Sequence, residues 1–360
     1  MHTPIITSSD CEGAGEVFTI NSKSSKHEQE LARSGKSGVD LFFRTPKYLT
    51  VSSQLHLEAL AQSVGKVWTL SPTFRAEKSD TARHLSEFYM LEAEVGFIDK
   101  LDTIMDLVEQ LVRCLAMNLQ GSKIGQELLR NSVLAEQDMG DLGPGSEKFS
   151  IDLTRRWDGL VKQPWPRITY QQAVAQIHDA LSGGHASFET LPDMESGLQA
   201  EHERFLAKSV GHEGPVFVTD YPKSMKPFYM APSEGTSENF GRVQTVACFD
   251  LLMPDVCEVV GGSMREHRLS HLEEAMRQKQ LLALHHTAEQ PSELTDRTVL
   301  ETKEGKNQSS LDWYLDLRRY GSVPHGGFGL GFDRLLCFLA GVSNIRDIVT
   351  FPRWYGRCTC

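Results

Sequence analysis

The sequence predicts an α+β fold in which helices pack against an antiparallel β-sheet. A period-two pattern over residues 66–98 predicts a β-hairpin. An apolar pattern with helical spacing follows it, from Leu101 to Leu115. Strands and helices do not alternate in the regular βαβ order that is typical of a parallel sheet. With 360 residues, the chain is long enough for one large domain or two ordinary ones.

The elements on either side of the hairpin can be assigned in order along the chain. Residues 1–20 are expected to be extended, and residues 21–45 an exposed loop. Residues 120–210 are expected to form a helical insertion, in which Thr169 and Gln172 resemble a capping box. Strand-like apolar segments then resume at residues 215–221, 226–231, 243–253 and 257–262.

The last part of the chain is expected to be mainly helical. Residues 266–285 have a helical pattern, and residues 286–310 are polar enough for a surface loop. Two helices, from Leu311 to Arg319 and from Leu330 to Leu339, would close the domain.

Composition narrows the class of protein. The hydrophobic share of 40% and the charged share of 24% are typical of a globular protein, and no apolar run reaches membrane-spanning length. Residues 1–4 do not resemble a signal peptide. The net charge of -11 argues against a surface that coats nucleic acid, although a local basic groove remains compatible with it.

The cysteines point to a reducing, intracellular environment. Their number is odd and they form no dense framework. No set of cysteines and histidines has the spacing of a zinc site. The seven positions are Cys11, Cys114, Cys248, Cys257, Cys337, Cys358 and Cys360.

One face of the hairpin carries side chains suited to a nucleotide. On its second strand this face contains Phe88, Met90, Glu92 and Glu94. Arg75 of the first strand adds a cation for phosphates, and Phe88 adds a ring for a base. A solvated polar face is the alternative interpretation.

A second segment, residues 326–331, is rich in glycine and runs into the helical pattern that contains Arg334. A glycine-rich turn before a helix is a weak phosphate signal by itself. The segment is not a dinucleotide fingerprint, because no βαβ pattern surrounds it. It is not a P-loop either, because no Gly-Lys-Ser/Thr follows.

Together the two segments resemble motifs 2 and 3 of class II aminoacyl-tRNA synthetases. Further segments resemble asparaginyl-tRNA synthetases of the bacterial and mitochondrial type, at residues 2–7, 49–58, 215–223, 226–230, 261–266, 317–328 and 345–353. The resemblance implies a catalytic domain over residues 1–360, with the tail of motif 1 at 1–20, the motif 2 hairpin at 66–98 and motif 3 at 322–342. It also implies the class II fold and a homodimer. The N-terminal anticodon-binding OB domain of the family is expected to be absent.

The resemblance further implies an ATP site. Arg75 would hold the α-phosphate and the amino-acid carboxylate, and Arg334 would grip the γ-phosphate, so both are candidate catalytic residues. The other implied ATP-binding residues are Glu77, Arg83, His84 and Phe88, of which Phe88 would stack on adenine. The alternatives are surface salt bridges for the charged residues and core packing for Phe88.

Asp250 and Glu258 are the implied carboxylates for Mg²⁺, a metal that prefers oxygen ligands shared with phosphates. The family usually has Pro-Gly-x-Gly-Glu where this chain has residues 254–258 without glycine, so an altered turn is expected there. Asp255 would face solvent or perturb the metal site. Carboxylates satisfied at a strand end are the alternative for Asp250 and Glu258.

Amino-acid selection is expected to depend on one donor and one acceptor. Arg265 would donate to the side-chain oxygen of asparagine, and Glu92 would accept from its amide nitrogen. Leu57 stands where aspartyl enzymes carry a lysine, which disfavours aspartate, although ordinary helix packing explains a leucine equally well. The implied residues for the α-amino end are Glu12, Ser52 and Gln54.

The expected function is therefore that of an asparagine–tRNA ligase. Its substrates would be asparagine and ATP, its partner tRNA(Asn), and its compartment the mitochondrial matrix or the bacterial cytoplasm; no membrane and no DNA are involved. An aspartyl-tRNA synthetase or an aspartate-amidating relative is one alternative. A catalytically silent, synthetase-like binding protein is the other.

Overall fold

The computed structural model describes residues 1–8, 16–20, 43, 46–138, 153–162, 164–234, 243–282, 299–301, 307–309 and 311–359. In chain order the strands are β1 (Ile6–Thr7), β2 (Tyr48–Leu49), β3 (Lys66–Phe74), β4 (Glu87–Gly96), β5 (Arg167–Thr169), β6 (Val216–Thr219), β7 (Cys248–Met253), β8 (Cys257–Met264), β9 (Val299–Glu301), β10 (Asn307–Ser309) and β11 (His325–Gly331). The helices are α1 (Gln54–Val64), α2 (Leu101–Gln120), α3 (Lys123–Asp138), α4 (Leu153–Val161), α5 (Tyr170–Ser182), α6 (Ala200–Ser209), α7 (Leu269–Gln278), α8 (Asp312–Arg319) and α9 (Phe332–Ala340).

Seven strands form the main sheet, in the order β3-β4-β11-β8-β7-β6-β5. The expected hairpin is present as β3 and β4, with Thr69 opposite Glu92 and Thr73 opposite Phe88. Every neighbouring pair is antiparallel except β5 and β6, which are parallel. The prediction of an α+β fold with an antiparallel sheet is confirmed, and the parallel pair lies at one edge of that sheet.

The region expected to be a helical insertion, residues 120–210, contributes to the sheet. Its helices α3 to α6 are present, but β5 lies among them and pairs with β6. The predicted capping box begins α5: the Gln172 backbone N–H donates to Thr169 Oγ1 over 3.2 Å, and the Thr169 N–H donates to Gln172 Oε1 over 2.8 Å. A strand of only three residues gives too short a pattern to detect in the sequence.

The largest apolar core lies between the sheet and α2. Ile104, Val108 and Val112 on that helix are almost completely buried, and they pack with Phe249 and Leu330 of the strands. A second core joins α5 and α6 to β6 and β7. A third joins α1, α7 and α8. The sheet is thus covered by helices on both faces, and one part of it remains open above β4, β11, β8 and β7.

The glycine-rich segment is a central strand rather than the turn that the sequence suggested. It pairs with β4 on one side and β8 on the other, and α9 follows directly. A Cβ on Gly327 would lie 2.2 Å from both the Ala93 carbonyl and the Glu94 carboxylate, so only glycine fits. The glycines therefore let neighbouring strands place large side chains above β11.

Two smaller expectations also need correction. Residues 226–231 form no strand, and only Met230 makes an isolated bridge, to Arg265. The described parts of the expected loop at 286–310 pair as the short strands β9 and β10. Among the described residues, no helix is both long and apolar enough to cross a membrane.

Candidate active site

A cavity of about 640 Å³ opens on the face of the sheet opposite α2. It gathers nearly all of the residues expected at the site. These are Ser52, Gln54, Arg75, Glu77, Arg83, His84, Phe88, Glu92, Asp250, Glu258, Arg265 and Arg334. Glu12 lies outside the described residues. Segments that are far apart in the sequence therefore meet in one polar concavity.

Arg75, Glu77 and His84 form one end of the cavity, just beyond the paired part of the hairpin. Arg75 Nη1 lies 3.8 Å from Glu77 Oε1, and His84 Nε2 lies 3.5 Å from Glu77 Oε2. Burial lowers the pKa of His84, while Glu77 opposes that change. Glu77 thus lies between the Arg75 guanidinium and the His84 ring, whose Nδ1 also lies 3.0 Å from Ser79 Oγ.

An aromatic ring and a second arginine extend this end of the site. The Arg75 guanidinium lies 5.7 Å from the centre of the Phe88 ring. Arg334, in the first turn of α9, donates from Nη1 to the Glu258 carbonyl over 2.8 Å. The adjacent Asp333 accepts from the Tyr89 backbone N–H over 2.8 Å, which joins α9 to β4. The hairpin and the motif 3 helix are therefore positioned together.

Glu92 makes its contacts with the segment that precedes α1. Both of its carboxylate oxygens accept from the Ser53 backbone N–H, over 3.0 and 2.9 Å, and the Ser52 hydroxyl donates to Oε1. Gln54 lies beside it, with its backbone N–H donating to Ser52 Oγ over 3.1 Å. Glu92 thus belongs with Ser52 and Gln54, the residues expected at the α-amino end.

The partner of Arg265 is Glu94, a residue that sequence reasoning placed on the right face but gave no role. Arg265 Nε and Nη2 donate to Glu94 Oε1 over 3.0 and 2.5 Å. Both residues are almost fully buried, and Glu94 Oε2 accepts no hydrogen bond from the described residues. Burial, together with the charge of Glu58, raises the pKa of Glu94 to about 7 against the opposing effect of Arg265.

Glu58 lies behind this pair at the centre of a buried network. Arg318 Nη2 and the Tyr314 hydroxyl donate to Glu58 Oε2 over 2.7 and 2.6 Å, and His325 Nε2 lies 3.2 Å from it. Burial raises the pKa of Glu58, but Arg318 and His325 more than offset this and hold it below its usual value. Glu58 therefore stays ionised and joins α1 to α8 and, through His325, to β11.

Leu57 does not line the cavity. Its side chain is fully buried and packs with Ala61 and Val67 beneath α1. This burial supports the alternative of helix packing, and the expectation that the absence of a lysine here disfavours aspartate stays a prediction.

Asp250 and Glu258 lie on adjacent strands across a gap that Gly261 leaves open. A Cβ at position 261 would lie 3.2 Å from Glu258 Oε1 and 3.6 Å from Asp250 Oδ1. The charge of Asp250 and then burial raise the pKa of Glu258 to about 7. Two oxygen donors with mutual repulsion fit a hard divalent cation such as Mg²⁺. In the described parts of the chain, no group of three or more His, Cys, Asp or Glu side chains is placed to hold a metal ion.

Two residues that sequence reasoning missed also adjoin these carboxylates. Lys226 Nζ donates to both oxygens of Asp250, over 3.0 and 2.7 Å. Glu203, on α6, accepts from the Glu258 backbone N–H over 3.1 Å. Lys226 stands in a segment that resembles the family, but nothing in its pattern specified a partner. Glu203 lies in the expected insertion, so its proximity depends on the tertiary fold.

The turn between β7 and β8 keeps a backbone suited to glycine although it contains none. Asp255 and Cys257 have φ of 66° and 65°. Asp255 Oδ2 accepts from Arg156 Nη2 over 2.6 Å, which joins the turn to α4. Asp255 therefore makes an ion pair while its side chain stays partly exposed, which supports the solvent-facing alternative.

Comparison with known proteins agrees with this geometry. The family model described as tRNA synthetases class II (D, K and N) matches residues 1–355. The chain belongs to this family. It is 39% identical to the mitochondrial asparagine–tRNA ligase of Saccharomyces cerevisiae, covering 97% of this chain and 62% of that protein. It is also 39% identical to the asparagine–tRNA ligase of Clostridium tetani, covering 99% and 65%.

Solved structures lead to the same family. The asparaginyl-tRNA synthetase of Pyrococcus horikoshii, complexed with asparaginyl-adenylate, has a TM-score of 0.69 and 30% identity, covering 99% of this chain and 63% of that one. The resemblance to asparaginyl-tRNA synthetases and the class II synthetase fold are thus confirmed. This class II chain spans slightly less than two thirds of the length of the relatives named here.

Proposed function

We propose that this chain is the activating part of an asparagine–tRNA ligase, which uses ATP to form asparaginyl-adenylate and then transfers asparagine to tRNA(Asn). The observation that carries the proposal is the buried Arg265–Glu94 pair in the same cavity as Arg75 and Arg334. A sequence identity of 39% to asparagine–tRNA ligases supports asparagine as the amino-acid substrate.

The charge of the cavity floor favours an amide over a carboxylate. Arg265 is already matched by Glu94, and Glu58 is matched by Arg318 and His325. An uncharged amide can accept from Arg265 and donate to Glu94 Oε2, which accepts no hydrogen bond from the described residues, without adding charge. The carboxylate of aspartate would bring a buried negative charge with no cation left to pair with it.

Activation then requires mainly orientation and charge neutralisation. An α-carboxylate oxygen of asparagine attacks the α-phosphorus of ATP, and pyrophosphate leaves from the opposite side. Arg75 would neutralise the α-phosphate and the attacking carboxylate, while Arg334 would hold the γ-phosphate of the leaving group. No general base is needed, because the attacking carboxylate is already ionised.

The remaining residues would orient the substrates. Phe88 would stack on adenine, and Glu77 would accept from its amino group, with Arg83 and His84 nearer the phosphates. Glu92, Ser52 and Gln54 would bind the α-ammonium group, because Glu92 is held beside them. Asp250 and Glu258 would hold Mg²⁺, which when bound neutralises phosphate charge. In the second step a terminal ribose hydroxyl of tRNA displaces AMP from the adenylate.

We also propose a homodimer formed through the outer face of the hairpin. Trp68, Leu70 and Tyr89 lie on the face of β3 and β4 away from the cavity, with exposed fractions of 61%, 43% and 48%. A contiguous apolar patch on an edge strand is typical of a protein interface. Sedimentation of Trp68→Ser/Leu70→Ser should give monomers where the unaltered chain gives dimers; dimers of the variant would contradict this interface.

The identity of the product separates the proposed reaction from its alternatives. The purified chain, incubated with ATP, Mg²⁺ and one amino acid, should yield asparaginyl-adenylate with asparagine when analysed by mass spectrometry. Aspartyl-adenylate as the main product would identify an aspartyl enzyme. Free asparagine formed from aspartate and ammonia would identify an amidating relative, and no adenylate with any amino acid would identify a silent binding protein. The compartment, a mitochondrial matrix or a bacterial cytoplasm, stays a prediction.

A further inference from the structure

Lys226 projects into the cavity from the segment after a short 3₁₀ turn, Lys223–Met225. Its ammonium group donates to both oxygens of Asp250, over 3.0 and 2.7 Å. It also lies 3.9 Å from the centre of the Tyr221 ring, a cation–π contact on its other side. Pro227 follows, so the backbone at Lys226 is held extended, with φ of -111°. The position of the ammonium group is therefore fixed by contacts on two sides.

Asp250 belongs to a cluster of three carboxylates. Glu258 faces it across the gap at Gly261, and Glu203 approaches the Glu258 backbone from α6. Arg334 reaches the same strand but donates to the Glu258 carbonyl oxygen. Among the described residues, the cation that directly contacts a carboxylate of the Asp250–Glu258 pair is Lys226. The positive charge of Lys226 thus offsets a large part of the negative charge of these carboxylates.

A divalent cation bound by Asp250 would have to share that carboxylate with the ammonium group. A divalent cation and an ammonium group a few ångströms apart repel each other appreciably even in a water-like medium. The repulsion falls when phosphate oxygens add negative charge to the same cavity. We propose that Lys226 acts as a built-in counter-cation, which keeps the Asp250–Glu258 pair from binding divalent metal until a nucleotide triphosphate enters with it. The inference deepens the proposed function by assigning the order in which metal and nucleotide bind.

A purely structural salt bridge would behave differently. If Lys226 only held its loop against β7, removing its charge would lower stability and leave the metal affinity of the remaining site unchanged or weaker. If it is a counter-cation, the same change should strengthen metal binding in the absence of nucleotide. The two roles therefore predict different changes in the metal affinity of the nucleotide-free chain when the charge of Lys226 is removed.

The test is a titration of the nucleotide-free full chain with Mn²⁺, followed by electron paramagnetic resonance of the free ion. Lys226→Met should bind Mn²⁺ about 10- to 100-fold more tightly than the unaltered chain, since a repelling unit charge is removed. Lys226→Arg should remain as weak as the unaltered chain. Lys226→Met/Asp250→Asn should lose the gain. Lys279→Met is the matched control, because this lysine lines the same cavity but donates to the Ser224 carbonyl. The Mn²⁺ affinity of this variant should equal that of the unaltered chain.

Unchanged or weaker Mn²⁺ binding in folded Lys226→Met would overturn the proposal, as would tight nucleotide-free binding by the unaltered chain. Circular dichroism melting establishes that each variant is folded. Lys226→Gln, which keeps a donor for Asp250 without the charge, provides the same comparison if the methionine variant does not fold. Neither amino acid nor tRNA is present, so an error in the assigned amino acid would not alter these outcomes.

Discussion

Adjacent glycines on β8 allow the site and the core to be perturbed separately. Gly261 faces the cavity, where a Cβ would come within 3.2 Å of Glu258 Oε1 and 3.6 Å of Asp250 Oδ1. Gly262 faces the core, where a Cβ would come within 2.5 Å of the Phe249 ring. Because successive residues of a strand point to opposite faces, the same substitution at these neighbours tests two different environments.

Gly261→Ala should fold normally and activate amino acid poorly. Its contacts are tight rather than forbidden, so the free energy of unfolding should change by less than about 1 kcal/mol. The methyl group occupies the gap between the two proposed metal carboxylates, so activation should fall at least about tenfold, equivalent to about 1.4 kcal/mol. Gly262→Ala should instead lose about 1–3 kcal/mol of stability by overpacking.

Denaturant unfolding gives the stabilities, and pyrophosphate exchange over a range of Mg²⁺ concentrations gives the activity of each folded variant. The activity of Gly262→Ala, corrected for its folded fraction, should stay close to that of the unaltered chain. Full activity of Gly261→Ala at limiting Mg²⁺, or a loss of stability as large as that of Gly262→Ala, would refute the assignment of this gap to the metal.

Three further predictions follow from the same structure. Arg75→Ala and Arg334→Ala should each raise the activation free energy of adenylate formation by about 3 kcal/mol, because each removes a charged donor from a preorganised site. Near-normal single-turnover rates in either folded variant would contradict the roles of these arginines. The pKa of Glu94 is raised to about 7 from 4.5, so its protonated form contributes stability that is fully present below pH 4.5 and is lost as the pH rises through 7. The free energy of unfolding of the unaltered chain, measured relative to that of Glu94→Gln, should therefore fall by roughly 2–3 kcal/mol between pH 5 and pH 8. A difference that does not change with pH would count against the raised pKa of Glu94. Asp255→Gly should be more stable than Asp255→Ala by about 1 kcal/mol in thermal melts. Both variants lose the ion pair with Arg156, but only glycine adopts a φ of 66° without cost. Equal stability of the two variants would show that the backbone at this position is unstrained.

Long periodic segments explain why much of the fold could be predicted from the sequence. The hairpin over 66–98 and helix α2 each have a side-chain pattern long enough to determine their type and their buried face. Strand β5 has three residues, and β11 is mostly glycine, so neither presents such a pattern. Their positions are set by tertiary pairing, with β6 and with β4 and β8 respectively.

The site residues could be predicted as a set, but their partners could not. Period two placed Glu92 and Glu94 on one face, yet which of them meets Arg265 depends on how β11 pairs with β8 and with β4. The burial of Leu57 did have a signal: it lies four residues before Ala61, on the apolar side of α1, while Gln54 and Glu58 share the polar side. Lys226 and Glu203 join the site through long-range contacts that no local pattern encodes.

The central claim is that the Arg265–Glu94 pair accepts the amide of asparagine and rejects the carboxylate of aspartate. Pyrophosphate exchange with the full chain, measured as kcat/KM for each amino acid at saturating ATP and Mg²⁺, tests it most directly. We expect a preference for asparagine of at least about a thousandfold, because a mismatched group would be left buried and unpaired. Equal values for the two amino acids, or a preference for aspartate, would contradict it.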